Sequence, residues 1–279
     1  MNLTQAIEEN VSAALREDLG SGDLTARLIP ARERARATVI SREAAVLCGT
    51  AWFAGCFKML DEHIDIRWFA RDGDAITPNQ ILCEIHGNAR AMLSAERPAL
   101  NFLQTLSATA TSARRHADAI AGTGAVVMDT RKTLPGLRLA QKYAVRCGGG
   151  ANQRSGLHDG ILIKENHIAA AGGIAQALNQ AGELAPPGVS VQIEVENLKE
   201  LRQALDAGAN LILLDNFTLK RLREAVALTN GRAVLEASGG ITLKNLRAVA
   251  ETGVNRISIG ALTKDIKAVD LSMRFLPGI

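Results

Sequence analysis

Between Asp129 and His167 the chain gathers residue types that bind anions and handle protons. Asp-Thr-Arg-Lys-Thr stands at 129–133, three glycines at 148–150, Asn-Gln-Arg at 152–154 and Leu-Ile-Lys-Glu-Asn-His at 162–167. Seven of the 32 Lys and Arg residues lie here: Arg131, Lys132, Arg138, Lys142, Arg146, Arg154 and Lys164. Only three of the 29 Asp and Glu residues accompany them: Asp129, Asp159 and Glu165. The window therefore carries +4 and the rest of the chain −1, within a total of +3. Positive charge packed among glycines suits a small, multiply charged anion. A nucleic-acid footprint would spread along a face. The chain has only 2 Trp, 1 Tyr and 6 Phe, which weighs against single-strand binding, where bases stack on aromatic rings.

A second pattern is the polar residue that ends each apolar run. Met128 is followed by Asp129, Ile163 by Lys164, Leu214 by Asp215 and Leu235 by Glu236, while Glu194 and Glu196 alternate with Ile193 and Val195. In a β/α barrel, groups at the C-terminal ends of the strands converge on one mouth. One such residue carries no weight, because every strand must end somewhere. Five of mixed sign on consecutive strands favour a site. Ser238-Gly239-Gly240 follows one late run and Gly260-Ala261 the next. Barrels often hold phosphate in the loops after their last two strands, where glycine lets the backbone approach the anion. Arg138, Lys142 and Arg146 also read as a solvated helix face at i, i+4 spacing, and His158 and His167 as plain loop residues. No structural zinc spacing and no G-x-S-x-G elbow occurs.

The elements that must position these groups come next. With 279 residues and 47% hydrophobic content, the chain can build one large domain or two. No apolar run reaches about 18 residues, so no transmembrane helix is expected. The acidic, amphipathic start lacks the features of a signal peptide, and four cysteines without C-x-x-C spacing read as reduced thiols. A cytoplasmic protein is expected. Ile7, Val11, Ala14 and Leu15 predict a helix over 5–19, stopped by Gly20-Ser21-Gly22-Asp23. Residues 35–90 have a β texture, including Ala37–Ile40, Ile64–Phe69 and Ile81–Ile85. A long helix is predicted over 94–121, with Pro98 in its first turn. After Gly124, apolar runs alternate with helical stretches at 168–182, 198–207, 218–229 and 242–252, which predicts a parallel sheet or barrel. The tail, 270–275, alternates like a strand returning to the first domain.

At these residues the chain resembles quinolinate phosphoribosyltransferase nearly end to end. Glu17-Asp18-Leu19-Gly20-Ser21-Gly22-Asp23-Leu24-Thr25 matches the family's N-terminal signature, and Glu96-Arg97 with Leu100-Asn101-Phe102-Leu103 its linking helix. Asp129–Arg138 is the most specific block. Leu162–Ile168, Leu214–Phe217 and Glu236–Ile241 follow in order. The resemblance implies an N-terminal open α/β sandwich and an incomplete β/α barrel of about seven strands. The corresponding division is 1–110, completed by 268–279, and a catalytic barrel over 111–267.

The resemblance also implies the reaction. Phosphoribosyl pyrophosphate and quinolinate give nicotinate mononucleotide, pyrophosphate and CO₂, with Mg²⁺ as cofactor, in NAD synthesis. It implies a homodimer with shared active sites and leaves a higher oligomer open; neither nucleic acid nor membrane is an expected partner. By resemblance Arg131, Gln153, Arg154 and Lys164 bind the acceptor within one subunit, and Arg97 reaches in from the other. Lys132, Lys164, Glu194 and Asp215 carry the catalytic roles, with Glu194 and Asp215 on the metal. Ser238, Gly239, Gly240, Ser258, Ile259, Gly260 and Lys264 hold phosphate. Arginine forks suit a dicarboxylate, and fixed carboxylates suit the positive charge that builds on the ribose ring as its anomeric bond breaks. Two positions depart from the family pattern. Gln153 stands where a histidine is usual, which removes a titrating group, and Lys264 replaces a common histidine while keeping positive charge.

Other readings stay open on the residues alone. A paralogue of the same fold could take another anionic acceptor. A barrel aldolase could use Lys164 as a Schiff-base amine. Residues 71–87 have the texture of a lipoyl carrier, but a carrier needs a lysine at its hairpin tip and none lies between Asp61 and Lys132.

Overall fold

The computed structural model describes residues 2–276. The chain divides into two compact units. One takes in the described residues up to Arg114, the stretch Leu134–Gly149 and those from Asp265 onward; the other comprises Arg115–Thr133 and Gly150–Lys264.

In the first unit, the Asn2 side chain accepts the Gln5 N–H at 2.9 Å and so starts helix α1 (Leu3–Leu19). Val11 and Leu15 face inward, and Gly20, at φ 50°, ends the helix. Next come β1 (Arg34–Ser41), β2 (Ala45–Val46), α2 (Thr50–Leu60), β3 (Asp65–Trp68), β4 (Ala75–Ile76), β5 (Ile81–Asn88) and the long helix α3 (Ala89–Ala119). The sheet is antiparallel throughout, in the order C-terminal strand (Leu271–Phe275), β1, β5, β3. The tail thus returns to the first unit, pairing Ala37 with Phe275 and Ser41 with Leu271. The sequence-based completion runs to 279, and its last three residues lie outside the described ones. Trp52, Phe53, Phe57, Leu82, Ile85, Leu103 and Leu106 lie in the core.

One expectation changes here, and one helix groups differently from the sequence-based division. Helix α3 begins at Ala89, so Pro98 lies well inside it. The start is fixed by Asn88, whose Oδ1 accepts the Ala91 N–H at 3.1 Å, and by Ala89 N–H donating to Glu33 O at 2.9 Å. Helix α4 (Arg138–Cys147) groups with this unit although the sequence-based boundary put it in the barrel. Its buried Ala140 and Ala144 join the first unit's core, and it packs on α1.

The second unit alternates strands and helices as expected. Its elements are β6 (Val126–Met128), β7 (Gly160–Ile163), α5 (Glu165–Ala171), α6 (Ile174–Leu184), β8 (Ser190–Val195), α7 (Leu198–Asp206), β9 (Leu211–Asp215), α8 (Leu219–Thr229), β10 (Val234–Ser238), α9 (Leu246–Ala250), β11 (Arg256–Ser258) and α10 (Ala261–Lys264). Six parallel strands run in the order β6, β11, β10, β9, β8, β7. The first strand pairs with the last, which curls the sheet into a barrel left open between β6 and β7. Ala151 takes the place of a seventh strand with a single bridge to Met128. Its N–H donates to Val127 O at 2.8 Å and its carbonyl accepts Asp129 N–H at 3.1 Å. Three glycines before it and Asn152 bonded to Asp129 after it keep it short. The helix predicted over 168–182 is split at Gly172-Gly173, whose φ angles of 87° and 142° no helix accommodates. Among the described residues no helix is long and apolar enough to cross a membrane.

Candidate active site

The polar residues on and after the strands of the second unit fall into two layers. The deeper layer surrounds Glu236, a fully buried carboxylate on β10. Gln153 Nε2 donates to both of its oxygens, Gln192 Nε2 donates to Oε2 at 3.1 Å, and Ser258 Oγ donates to Oε1. An ionised carboxylate removed from water needs such donors, and three residues supply them. Gln153 is aimed by this network and by Asp129, which is also fully buried and accepts Gln153 N–H at 2.8 Å and Asn152 Nδ2–H at 2.6 Å. Asp129 and Glu236 thus fix the backbone and side chain of the residue next to Arg154.

The upper layer carries the charges that can meet a ligand. Lys164, just after β7, places its ammonium 2.7 Å from Glu194 Oε2 and 2.9 Å from Oε1. The Glu194 side chain is only 11% exposed and that of Lys164 44%. Their pairing follows from parallel register, since Ile163 on β7 lies beside Ile193 on β8. Asp215 ends β9 and accepts Asn216 Nδ2–H at 2.8 Å. Glu194 pairs with Leu213 across the β8–β9 ladder, so Asp215 stands two residues farther along the neighbouring strand. Glu194 and Asp215 are hard oxygen donors, and no third acidic, His or Cys group clusters with them among the described residues. Two carboxylates suit Mg²⁺, which keeps waters or takes substrate phosphates in its other positions. The residues fit the ion on that ground.

Arg154 donates Nη1–H to Gly160 O at 2.9 Å, which directs its guanidinium along the start of β7. Burial and then the charge of Arg131 lower its pKa, with Asp159 opposing. Arg131 and Lys132 are exposed in the loop after β6. Two guanidinium groups this close suit an anion that can accept from both. Asp159 holds the loop beside Arg154 by accepting Ser155 N–H at 2.7 Å and Gly156 N–H at 2.8 Å.

The late glycine loops sit beside these groups. A Cβ on Gly260 would lie 2.9 Å from Lys132 Cδ, so the lysine stem runs across that glycine. Thr263 Oγ1–H donates to Lys132 O at 2.7 Å. Gly239 and Gly240 both have positive φ, and a Cβ on Gly239 would overlap Asn216 Oδ1. Ser238 O in turn accepts Asn216 N–H at 3.0 Å. Ser258 and Ile259 lie differently from Ser238 and the glycines. The Ser258 hydroxyl turns inward to Glu236, and Ile259 N–H is bonded to Met128 O at 3.0 Å. Lys264 is exposed at the end of α10. Arg97 lies in the first unit, exposed on α3.

Comparison with known proteins gives this arrangement its context. The pattern for the quinolinate phosphoribosyl transferase N-terminal domain matches residues 23–107, and that for the C-terminal domain matches 109–274. The chain belongs to the quinolinate phosphoribosyl transferase family. A probable nicotinate-nucleotide pyrophosphorylase [carboxylating] of Bacillus subtilis is 42% identical over 92% of this chain and 89% of that protein. A similarly named protein of Synechocystis is 37% identical over 94% and 90%. The solved structure of the nicotinate-nucleotide pyrophosphorylase from Francisella tularensis superposes with a TM-score of 0.95 at 44% identity, covering 99% of this chain and 98% of that one.

The sequence named Lys164, Glu194, Asp215, Arg131 and Arg154, all of which lie in the second unit, but not the hydrogen bonds around Glu236 and Asp129. Gln192 gave one signal: it shares the inward period-2 face of β8 with Glu194. Asp129 follows β6 as expected of a strand-end acid, whereas Glu236, expected to end its strand, lies in the middle of β10 because Ala237 and Ser238 continue the ladder beside Leu214 and Asp215; the partners of neither were legible.

Proposed function

We propose that this protein transfers the phosphoribosyl group of phosphoribosyl pyrophosphate to quinolinate, with decarboxylation, in NAD synthesis. The observation that carries the reading is the charge array of the second unit: Arg131 close enough to Arg154 to lower its pKa, and Lys164 paired with Glu194 where β7 and β8 end. A pyridine dicarboxylate offers two anionic groups to two guanidinium forks. Gln153, aimed by Glu236 and Asp129, adds a neutral amide next to Arg154.

The reaction breaks the bond between the anomeric carbon and the pyrophosphate oxygen and joins that carbon to the ring nitrogen. Positive charge develops on the ribose ring, and Glu194 and Asp215 are fixed carboxylates suited to stabilise it. Lys132 and Lys164 offset the charge of the departing pyrophosphate. Mg²⁺ held by Glu194 and Asp215 would neutralise more of that phosphate charge. Once the nitrogen is ribosylated, the pyridinium ring accepts the electron pair left by CO₂, and a proton takes the vacated carbon. Ser238, Gly239, Gly240, Gly260 and Lys264 are proposed to hold the 5′-phosphate, with Ser258 and Ile259 completing the loop from behind. A homodimer in which Arg97 of a second copy enters the site is part of the proposal. Action in the cytoplasm also belongs to it, in keeping with four unpaired thiols. A Schiff-base role for Lys164 asks for an amine free to attack a carbonyl, whereas both Glu194 oxygens hold this one.

Incubation with phosphoribosyl pyrophosphate, Mg²⁺ and either quinolinate or nicotinate, followed by assay of nicotinate mononucleotide, tests the reading. Nicotinate leaves one of the two guanidinium groups without its carboxylate partner. Strong preference for quinolinate is expected; comparable kcat/KM for nicotinate overturns the substrate assignment.

A further inference from the structure

Away from the barrel, two cysteines of the first unit meet where two helix ends converge. Cys48 is fully buried just before Gly49, which precedes α2. Cys147 is the last residue of α4 and is half-buried. Their sulfurs and the Asp72 carboxylate all lie within 4.8 Å of one another. Asp72 Oδ1 accepts Gly49 N–H at 3.0 Å and Thr50 N–H at 3.1 Å, and its Oδ2 accepts Tyr143 O–H at 2.8 Å. Arg114 braces the same place from α3, donating Nε–H to Gly148 O at 3.2 Å. None of these groups has a part in the transfer reaction.

We propose that Cys48 and Cys147 form a peroxide-sensitive thiol pair that closes to a disulfide. The two sulfurs differ as such a pair requires. The Cys48 thiol donates toward Cys147 and, aided by burial, is pushed well above the usual thiol range. The same hydrogen bond, with one from Tyr143 and the charge of Arg146, lowers Cys147, while burial and Asp72 oppose. The half-buried sulfur is therefore the more readily ionised of the two, and the enclosed one holds its proton more tightly. Cys56 and Cys83 are different: burial pushes each up to about 12. Asp72 is committed to two backbone N–H groups and a phenol, so it orders the pair and is poorly placed to bind a metal. Gly49, directly after Cys48, holds φ 107°, a conformation open to glycine, and Gly148, directly after Cys147, packs against Ala110 O, so the backbone beside both sulfurs is fixed and closure falls to rotation of the two side chains.

The chemistry balances with a hydroperoxide as oxidant. The Cys147 thiolate attacks the O–O bond, forming S–O and releasing hydroxide, which takes a proton to become water. The Cys48 sulfur then attacks Cys147; the S–S bond forms, the S–O bond breaks, and the Cys48 proton leaves with the second hydroxide as water. Two thiols are oxidised by two electrons and one peroxide is reduced.

The test treats the reduced full-length protein with a few equivalents of hydrogen peroxide, then alkylates it under denaturing conditions and maps the peptides. The expected product is a Cys48–Cys147 linked peptide two hydrogens lighter than the reduced pair. Cys56 and Cys83 should remain alkylatable, and dithiothreitol should restore all four thiols. In Cys48→Ser, Cys147 should stop at a sulfenic acid trapped by dimedone. If the wild-type protein instead accumulates oxidised Cys147 while Cys48 stays alkylatable, or if Cys56 and Cys83 oxidise as fast as Cys147, the proposal is overturned.

Discussion

Lys164 and Glu194 form an ion pair across the β7–β8 ladder, with the lysine Nζ 2.7 Å from Glu194 Oε2. Each charge is thus partly neutralised by the other before any substrate arrives. On the proposed function, substrate phosphate would compete with Glu194 for the lysine.

Glu194→Gln and Asp215→Asn keep size and hydrogen bonding but remove charge. If both carboxylates act mainly in the transition state, kcat falls by roughly 10²-fold, the scale of losing one electrostatic stabiliser. Calorimetric affinity for quinolinate without the second substrate should change little. Arg154→Ala should instead abolish that binding. Normal turnover by both carboxylate variants would reduce them to ordinary strand-end polar groups.

Glu236 offers a separate test, because it accepts from three residues and is proposed to touch no substrate. Glu236→Gln conserves volume but leaves one acceptor oxygen for donors that served two. A destabilisation of about 1–3 kcal/mol is expected in urea unfolding. With Gln153 no longer fixed, KM for quinolinate should rise more than kcat falls. A second change sharpens this. Gln153→His sets an imidazole against the buried Glu236 carboxylate, which favours the charged ring. That contribution is present at low pH and lost as pH rises through the raised histidine pKa. The variant's stability in urea should therefore fall relative to the parent's as pH rises through the histidine's titration; parallel pH dependences would show that the imidazole is not held by the Glu236 carboxylate.

Gly239 joins backbone conformation to the site. Its φ is 97°, and a side chain there would strike Asn216, which bonds to Asp215. Gly208 has a similar φ of 82° but open space around it. Gly208→Ala should cost about 1 kcal/mol from the backbone alone. Gly239→Ala should cost more and also depress kcat by moving Asn216 and Asp215. Equal losses of stability, with activity intact in both, would show that the close approach to Asn216 has no consequence.

How much of this was legible depended on the distance over which each signal acts. The β/α alternation after Gly124 is local, so apolar runs located all six parallel strands. Lys164 and Asp215 were equally legible, because a charge directly after an apolar run marks a strand end. Partners of Glu236 were not, since Gln153 lies 83 residues away and only the closed sheet brings it near. The start of α3 was obscured because its cap, Asn88, is also the last residue of β5. Helix α4 shows the limit of sequence order. Its glycine- and arginine-rich neighbours point to the barrel, yet Ala140 and Ala144 are buried in the other unit. The break at Gly172-Gly173 was visible in the sequence and was outweighed by the apolar spacing around it.

The last prediction concerns assembly. Arg97 is exposed on α3 in the first unit, whereas Arg131 and Arg154 lie in the second. If Arg97 completes the site of a second copy, Arg97→Ala and Arg131→Ala should each be nearly inactive, for each homodimer then has two damaged sites. A heterodimer of the two variants holds one site with both defects and one with neither. Mixing them under conditions that allow subunit exchange should restore activity, up to about a quarter of the parent's specific rate for random pairing, since about half of the dimers are then heterodimers and each has one intact site of two. Exchange must be verified independently, for example by native mass spectrometry of subunits of different mass. Verified exchange without recovered activity would place the whole site within one chain and remove Arg97 from it.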